Sequence, residues 1–243
     1  MTEFQRLRAI VLSPGTLFAD ISYRPSWIVP LALLLLFNLA TNFVVYRVLV
    51  TSSNFERIAR ERIEWDAKAA GTALHPGDVD RQTEALRAER DHWYLLPFSA
   101  VPVSVLGLTA VFYVVLVLVR AGAPFLKVSS VVCWSMLIYR GIGGIVTIAA
   151  LLVGGPNRFF PGAPESWSPT SLAHLISRAA VSPNIYSAIS KLDIVLVWWL
   201  AVLAIGFSKV SKNLALSKSL ALVAAAQVIY LAVNAAGWFA GTL

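Results

Sequence analysis

PSWIVPLALLLLFNLATNFVVY, residues 25–46, contains no Asp, Glu, Lys or Arg. At 1.5 Å per residue a helix over this stretch reaches about 33 Å, enough to cross the roughly 30 Å of hydrocarbon in a bilayer. Two further runs, His92 to Val119 and Ser219 to Leu243, are equally free of charge. Val128 to Val153 has the length but carries Arg140 at its middle, and Ile194 to Ser208 is clean but only 15 residues long. The short run reaches bilayer length if Lys191 and Asp193 lie inside one boundary and Lys209 snorkels at the other. The fold expected from these runs is all-α: a polytopic membrane protein with a five-helix transmembrane bundle. Its spans fall at about 25–50, 92–119, 128–153, 190–208 and 219–243, within a single membrane domain covering 1–243.

Composition agrees with this reading. Of 243 residues 58% are hydrophobic and 14% charged, with a mean hydropathy of +0.71, against about a quarter charged in soluble domains. The net charge of +7 fits the basic loops of a membrane protein better than a nucleic-acid footprint, because no cluster of four or more Lys/Arg stands beside exposed aromatics. The sole cysteine, Cys133, cannot form an internal disulfide, and its neighbours Val131, Val132 and Trp134 describe a buried apolar site. The expected partners are the lipid bilayer and a protein partner in the membrane or a second copy of the chain, with no nucleic acid.

Between the spans the sequence changes character. In residues 1–24, Phe4, Leu7, Arg8, Ile10 and Val11 have helical spacing, and Ser13-Pro14 opens a second helix through Leu17, Phe18 and Ile21. Both are expected to be interfacial helices lying on the membrane, and no cleavable signal is expected there. Residues 51–91 carry interleaved charges of both signs and predict a charged helical hairpin. Ser53 to Glu56 fits a capping box, Gly71 and His75-Pro76-Gly77 break the first helix, and Asp78 or Asp80 caps the second. A solvated surface is the expectation for it. Residues 154–189, with Phe159, Phe160, Trp167 and the Leu172, Leu175, Ile176, Ala179 stripe, predict a membrane-surface loop with short helices after Ser168-Pro169 and Ser182-Pro183. The cation density of the short loops (Arg120, Lys127; Lys209, Lys212, Lys218) places the amino terminus in the cytoplasm and the carboxyl terminus outside.

No catalytic or metal-ligating pattern is present. His75, His92 and His174 lack metal-ligand spacing, and no nucleophile elbow, Walker A or dinucleotide fingerprint occurs, so neither an enzyme nor a cofactor is expected. The informative polar residues lie at membrane depth. Counting 1.5 Å per residue from the inner end of each span places Arg140, Asp193, Asn38, Asn42, Ser104 and Asn234 between about 20 and 26 Å. An Arg140–Asp193 ion pair with the asparagines meeting the remaining donors is the expected arrangement, since an unpaired charge there costs several kcal/mol. It can serve as a structural brace or as a conduction path. Gly141 and Gly144, and Gly237-x-x-x-Gly241, are candidates for close helix packing.

Taken in order, several stretches resemble the Yip (Ypt/Rab-interacting protein) domain family, in its prokaryotic branch. These are Leu12-Ser13-Pro14-Gly15-Thr16-Leu17-Phe18-Ala19-Asp20-Ile21 with Arg24-Pro25-Ser26-Trp27 and Pro30-Leu31; Gly122 to Trp134; Leu192-Asp193-Ile194 to Trp198 and Leu203-Ala204-Ile205-Gly206-Phe207; and Lys218. The resemblance implies five spans, a cytosolic amino terminus and a non-enzymatic integral membrane protein, in a bacterial cytoplasmic membrane. The cytosolic signature of the Rab-binding relatives is not visible here, so Rab binding is not carried over. Two functions are compatible with these observations: an adaptor or scaffold for another membrane component, such as an accessory to a transport system, or a small transporter or channel using the polar layer. If the ion pair forms, Arg140→Asp lowers the yield of folded protein in gel filtration, and adding Asp193→Arg restores it; absence of rescue would count against the pair.

Overall fold

The computed structural model describes residues 1–49, 52–89, 96–155 and 168–235. Among them all regular structure is helical: α1 (Glu3–Leu12), α2 (Pro14–Tyr23), α3 (Ile28–Leu49), α4 (Ser52–Ala70), α5 (Asp78–Glu89), α6 (Leu96–Leu118), α7 (Phe125–Met136), a π-helical segment (Leu137–Ile142), α8 (Gly143–Gly154), a 3-10 turn (Leu172–Leu175), α9 (Pro183–Ser190), α10 (Ile194–Val210) and α11 (Leu216–Ala235). Four helical stretches are long and apolar enough to cross a membrane: Ile28–Val48, Phe98–Leu118, Phe125–Gly154 and Leu216–Val233. A fifth exists if α9 and α10, bent by 60° at their junction, form one broken span. Only 11–28% of each of the four apolar windows is buried inside the protein, which leaves most of their apolar surface to be covered by lipid. The chain is therefore compatible with an integral membrane protein.

Two of the spans differ from the sequence expectation for identifiable reasons. The fifth was expected to start near residue 190, yet α10 begins at Ile194, leaving Lys191 and Asp193 in the break. The carbonyls that would continue α9 are taken by other partners: Ser171 Oγ donates to Ser190 O (2.8 Å) and Leu172 N to Leu192 O (2.9 Å). These bonds satisfy carbonyls that the break leaves outside the helical ladder. The third span is longer than expected, because Phe125–Gly154 is helical for 30 residues, and the ladder widens inside it as the Gly143 N–H reaches back to Ile138 O. Such single-turn π segments interrupt α-helices chiefly at functional positions, and this one holds Arg140.

The chain forms two compact units. The first comprises Met1–Leu39, Pro97–Gly144 and Val195–Ala226. Its core contains the fully buried Leu17, Phe18 and Ile21 of α2, Val131 and Trp134 of α7, and Leu203 and Phe207 of α10. Helix α2 starts at Pro14 as the sequence indicates, with Ser13 at its N-cap making no side-chain capping bond. Its apolar stripe is enclosed by protein, whereas α1 leaves Phe4 and Leu12 outside. The cap of α1 is Thr2, in a full capping box with Gln5. The Trp134 indole N–H donates to Ser26 O at 3.0 Å, tying α7 to the lead-in of α3. Phe112 of α6 packs on Phe207 at 4.9 Å between centroids, and Ser219 Oγ donates to Ala204 O, holding α11 on α10.

The second unit comprises Ala40–Leu96, Ile145–Ile194 and Gln227–Leu243. The expected hairpin is present as α4 and α5. Gly71, in the left-handed region at φ +66, ends α4 with Thr72 N bonded to Ala67 O and Gly71 N to Lys68 O, the pattern of a glycine-terminated helix. Two details of its capping differ. Helix α4 starts at Ser52, so Ser53 lies inside it, and the Asp78 carboxylate accepts from His75 N at the first position of α5. The hairpin is not solvated all round: α4 buries Phe55, Ile58, Ala59 and Ile63, a stripe at helical spacing. Ile58 and Leu151 pack together with Val45 and Val48. The segment after residue 168 meets α4 as well, through Trp65 edge-on to Tyr186 at 5.8 Å and Asn184 Nδ2 donating to Ala69 O. Ser182-Pro183 caps α9 as expected, but the 3-10 turn is capped by Ser171, not Ser168. Phe159, Phe160 and Trp167 lie outside the described residues.

Gly206 is the tightest point of the first unit. A Cβ there would collide with Val131 Cγ1 and lie 3.2 Å from the Phe18 ring, while nothing lies within 4 Å of a Cβ at Gly107. Gly206→Val is expected to cost about 1–3 kcal/mol through overpacking and to lower the thermal unfolding midpoint in detergent. Gly107→Ala, read in the same assay, leaves it unchanged or raises it.

Candidate functional site

Two polar arrangements stand out in the first unit, one outside the spans and one within them. The outer one was not foreseen from sequence. Arg6 has only 4% of its side chain exposed. Its Nε and Nη2 donate to Asp20 Oδ2 at 2.8 and 2.6 Å, its Nη1 to Glu3 Oε1 at 2.8 Å, and Nη2 also to Arg24 O at 3.0 Å. The Met1 amine lies 3.0 Å from Asp20 Oδ1. One guanidinium thus joins α1, α2 and the strand of chain leading to α3. Partial burial raises the Asp20 carboxyl pKa, but hydrogen bonds from the amino terminus and Arg6 and the charges of both outweigh it, so the net shift is downward. Only the fold-back at Ser13 brings Arg6 to a residue 14 positions on.

The inner arrangement surrounds the π segment. Arg140 is exposed, with its Cζ 5.8 Å from the Tyr139 ring centroid. Tyr139 packs on Trp199 of α10 at 5.3 Å, and the buried Trp199 Nε1 has no hydrogen-bond partner among the described residues. Gly141 admits Phe37 of α3 to 3.7 Å of its Cβ position, and Gly143 admits Val195 to the same distance. Both distances are ordinary van der Waals contacts for a Cβ, so neither position requires glycine for the approach. Asn38, also in this unit, is buried and donates to Leu34 O one turn back at 2.9 Å, and Ser104 is half-buried on α6, two residues beyond Pro102.

The remaining members of the expected polar layer belong to the second unit. Asn42 is half-buried on α3, and half-buried Asp193 immediately precedes α10. Asn234 lies on α11, with its side chain outside what the structure describes, and Gly237 and Gly241 lie outside the described residues. In the same unit Lys191 Nζ donates to Tyr230 OH at 3.3 Å and sits 5.1 Å from that ring's centroid. Several of the hairpin's arginines are paired: Arg87 bridges to Glu56 of α4 (2.7 Å) and Glu84 (2.9 Å), and Arg60 reaches Asp80 (3.1 Å). Burial raises the Asp66 pKa despite Arg62 at 3.5 Å. Cys133 is buried, as its neighbours indicated. Among the described residues no group of three or more His, Cys, Asp or Glu could hold a metal.

No family model, curated protein or solved structure matches the chain. The Yip resemblance therefore rests on the quoted residues alone.

Because the Asp20 pKa is lowered in the fold, its contribution to stability is complete above the ordinary carboxylate range and is lost as pH falls through the lowered value. Asp20→Asn should flatten the acid limb of the stability profile. Arg6→Met, which removes the shared cation from Asp20 and Glu3 while the Met1 amine stays beside Asp20, should cost about 1.5–3 kcal/mol near neutral pH, read from denaturant unfolding in detergent.

Proposed function

We propose that this chain is an integral membrane protein that works by binding, as an adaptor or scaffold for another membrane component, and not by catalysis. The observation that carries the proposal is the α4–α5 hairpin. It is a charged element outside the apolar spans, held internally by the Arg87–Glu56 and Arg60–Asp80 bridges and seated on its own unit through Ile58, Trp65 and Asn184. A preformed charged surface of this kind can recognise a partner with little ordering cost. The Yip likeness, a bacterial cytoplasmic membrane and a cytoplasmic amino terminus belong to the same proposal.

A second reading is favoured by the inner polar arrangement. Helix interruptions that carry ionisable groups occur along transport paths, and the π segment with Arg140, beside a Trp199 Nε1 that has no hydrogen-bond partner among the described residues, supports that reading. Mild-detergent affinity purification from native membranes, followed by flux assays in liposomes, separates the two. The adaptor predicts a stoichiometric membrane partner that is lost when Arg60 and Arg87 are both changed to Glu, and liposomes no leakier than empty ones. Flux abolished by Arg140→Ala, with no partner, would replace the adaptor by the transporter.

A further inference from the structure

Arg120, Lys127, Lys209, Lys212 and Lys218 belong to two turns of the first unit and the helix ends that flank them. The turns are locked together: Lys212 N and Asn213 N both donate to Ala121 O, at 3.0 and 3.2 Å, and Asn213 Nδ2 approaches Arg120 O at 3.5 Å. Gly122, at φ +71, lets the Lys212 methylenes lie 3.5 Å from its Cβ position. Residues 119–127 and 208–218 contain no Asp or Glu. Among the described residues the five cations form no ion pair, four of them are exposed and Lys127 is half-exposed, whereas five arginines of the hairpin, Arg57, Arg60, Arg62, Arg81 and Arg87, are paired.

Two features show that this charge is not simply a response to helix ends. Cations are favoured near helix C-termini, which would account for Arg120 and Lys209, but Lys127 and Lys218 stand in the first turns of α7 and α11, where the helix dipole opposes them. Arg120 itself occupies the left-handed position, φ +54, that closes α6, with Ala121 N bonded to Leu116 O and Arg120 N to Val117 O. Glycine fits that position without strain and an L side chain does not. Beside the cations, Leu118, Phe125, Leu126 and Leu216 expose apolar side chains. Cationic groups above exposed hydrocarbon match the two halves of an anionic phospholipid.

We propose that the coupled turns 119–127 and 208–218 form a binding surface for anionic phospholipid, with the cations on headgroup phosphate and the flanking apolar side chains on its acyl chains. The test uses the full chain purified in mild detergent, supplied with equal phosphatidylglycerol and phosphatidylcholine, with retained lipid counted by native mass spectrometry. One well-placed cation is worth roughly fivefold in affinity for an anionic surface, so phosphatidylglycerol should be retained at least about tenfold over phosphatidylcholine, and high salt should erase the preference. Arg120→Gly should raise thermal stability while lowering phosphatidylglycerol retention about fivefold, a divergence that a purely structural arginine would not produce. Lys209→Gln with Lys212→Gln should lower retention further, and Arg81→Gln in the hairpin should not change it. Equal retention of both lipids by the wild type, which requires no variant to fold, would overturn the proposal. So would unchanged retention in Arg120→Gly, or displacement of phosphatidylglycerol by inorganic phosphate or polyglutamate at matched concentration.

Discussion

Hydrocarbon offers no hydrogen-bond partner to a peptide group, so every backbone amide and carbonyl inside it must be satisfied within the protein. The apolar helices of this chain, long enough to cross a membrane, are compatible with that constraint. Its long apolar runs are helical because a helix pairs its backbone internally, and its irregular stretches occur where other protein groups take over the bonding. The α9–α10 break illustrates the rule: carbonyls released from the helical ladder are met by Ser171 and Leu172. Ser219, Ser129 and Ser130 obey it too, each returning its hydroxyl to a backbone carbonyl.

Charge follows a second logic, set by solvent. In the hairpin, surrounded in part by water, Arg and Glu pair with each other at modest energetic return, and the pairs chiefly fix how α4 lies against α5. At the amino terminus, Arg6 is enclosed and has three backbone or carboxylate partners, so its removal leaves the partly exposed Asp20 and Glu3 without the cation that joins them. At the two coupled turns the cations are left for something outside the chain. The same residue types thus brace, enclose or bind according to what surrounds them.

How much of this was legible in advance differs by feature. The helix starts at Pro14 and Pro183, the stop at Gly71 and the apolar spans are local, and each was readable from a few neighbouring residues. Ser53 was assigned as a cap although α4 starts at Ser52, and Asp78 although it is the first residue of α5, because several adjacent residues could fill the same role. The α4 stripe of Phe55, Ile58, Ala59 and Ile63 is diluted along the chain by the charges interleaved with it, and only the folded unit shows which side is covered. The Trp65–Tyr186 contact left no signal at all, since 121 positions separate the two rings.

The amino-acid order alone determined that this polypeptide is helical and apolar enough for a bilayer, because span length and charge content are sums over consecutive residues. Which glycine admits which neighbour, that Arg6 meets Asp20, that α10 starts only at Ile194, and that two basic turns share one carbonyl at Ala121 were decided by tertiary structure. Those facts depend on the angles between helices and on competition for backbone acceptors, quantities that arise only when distant segments come within hydrogen-bonding distance.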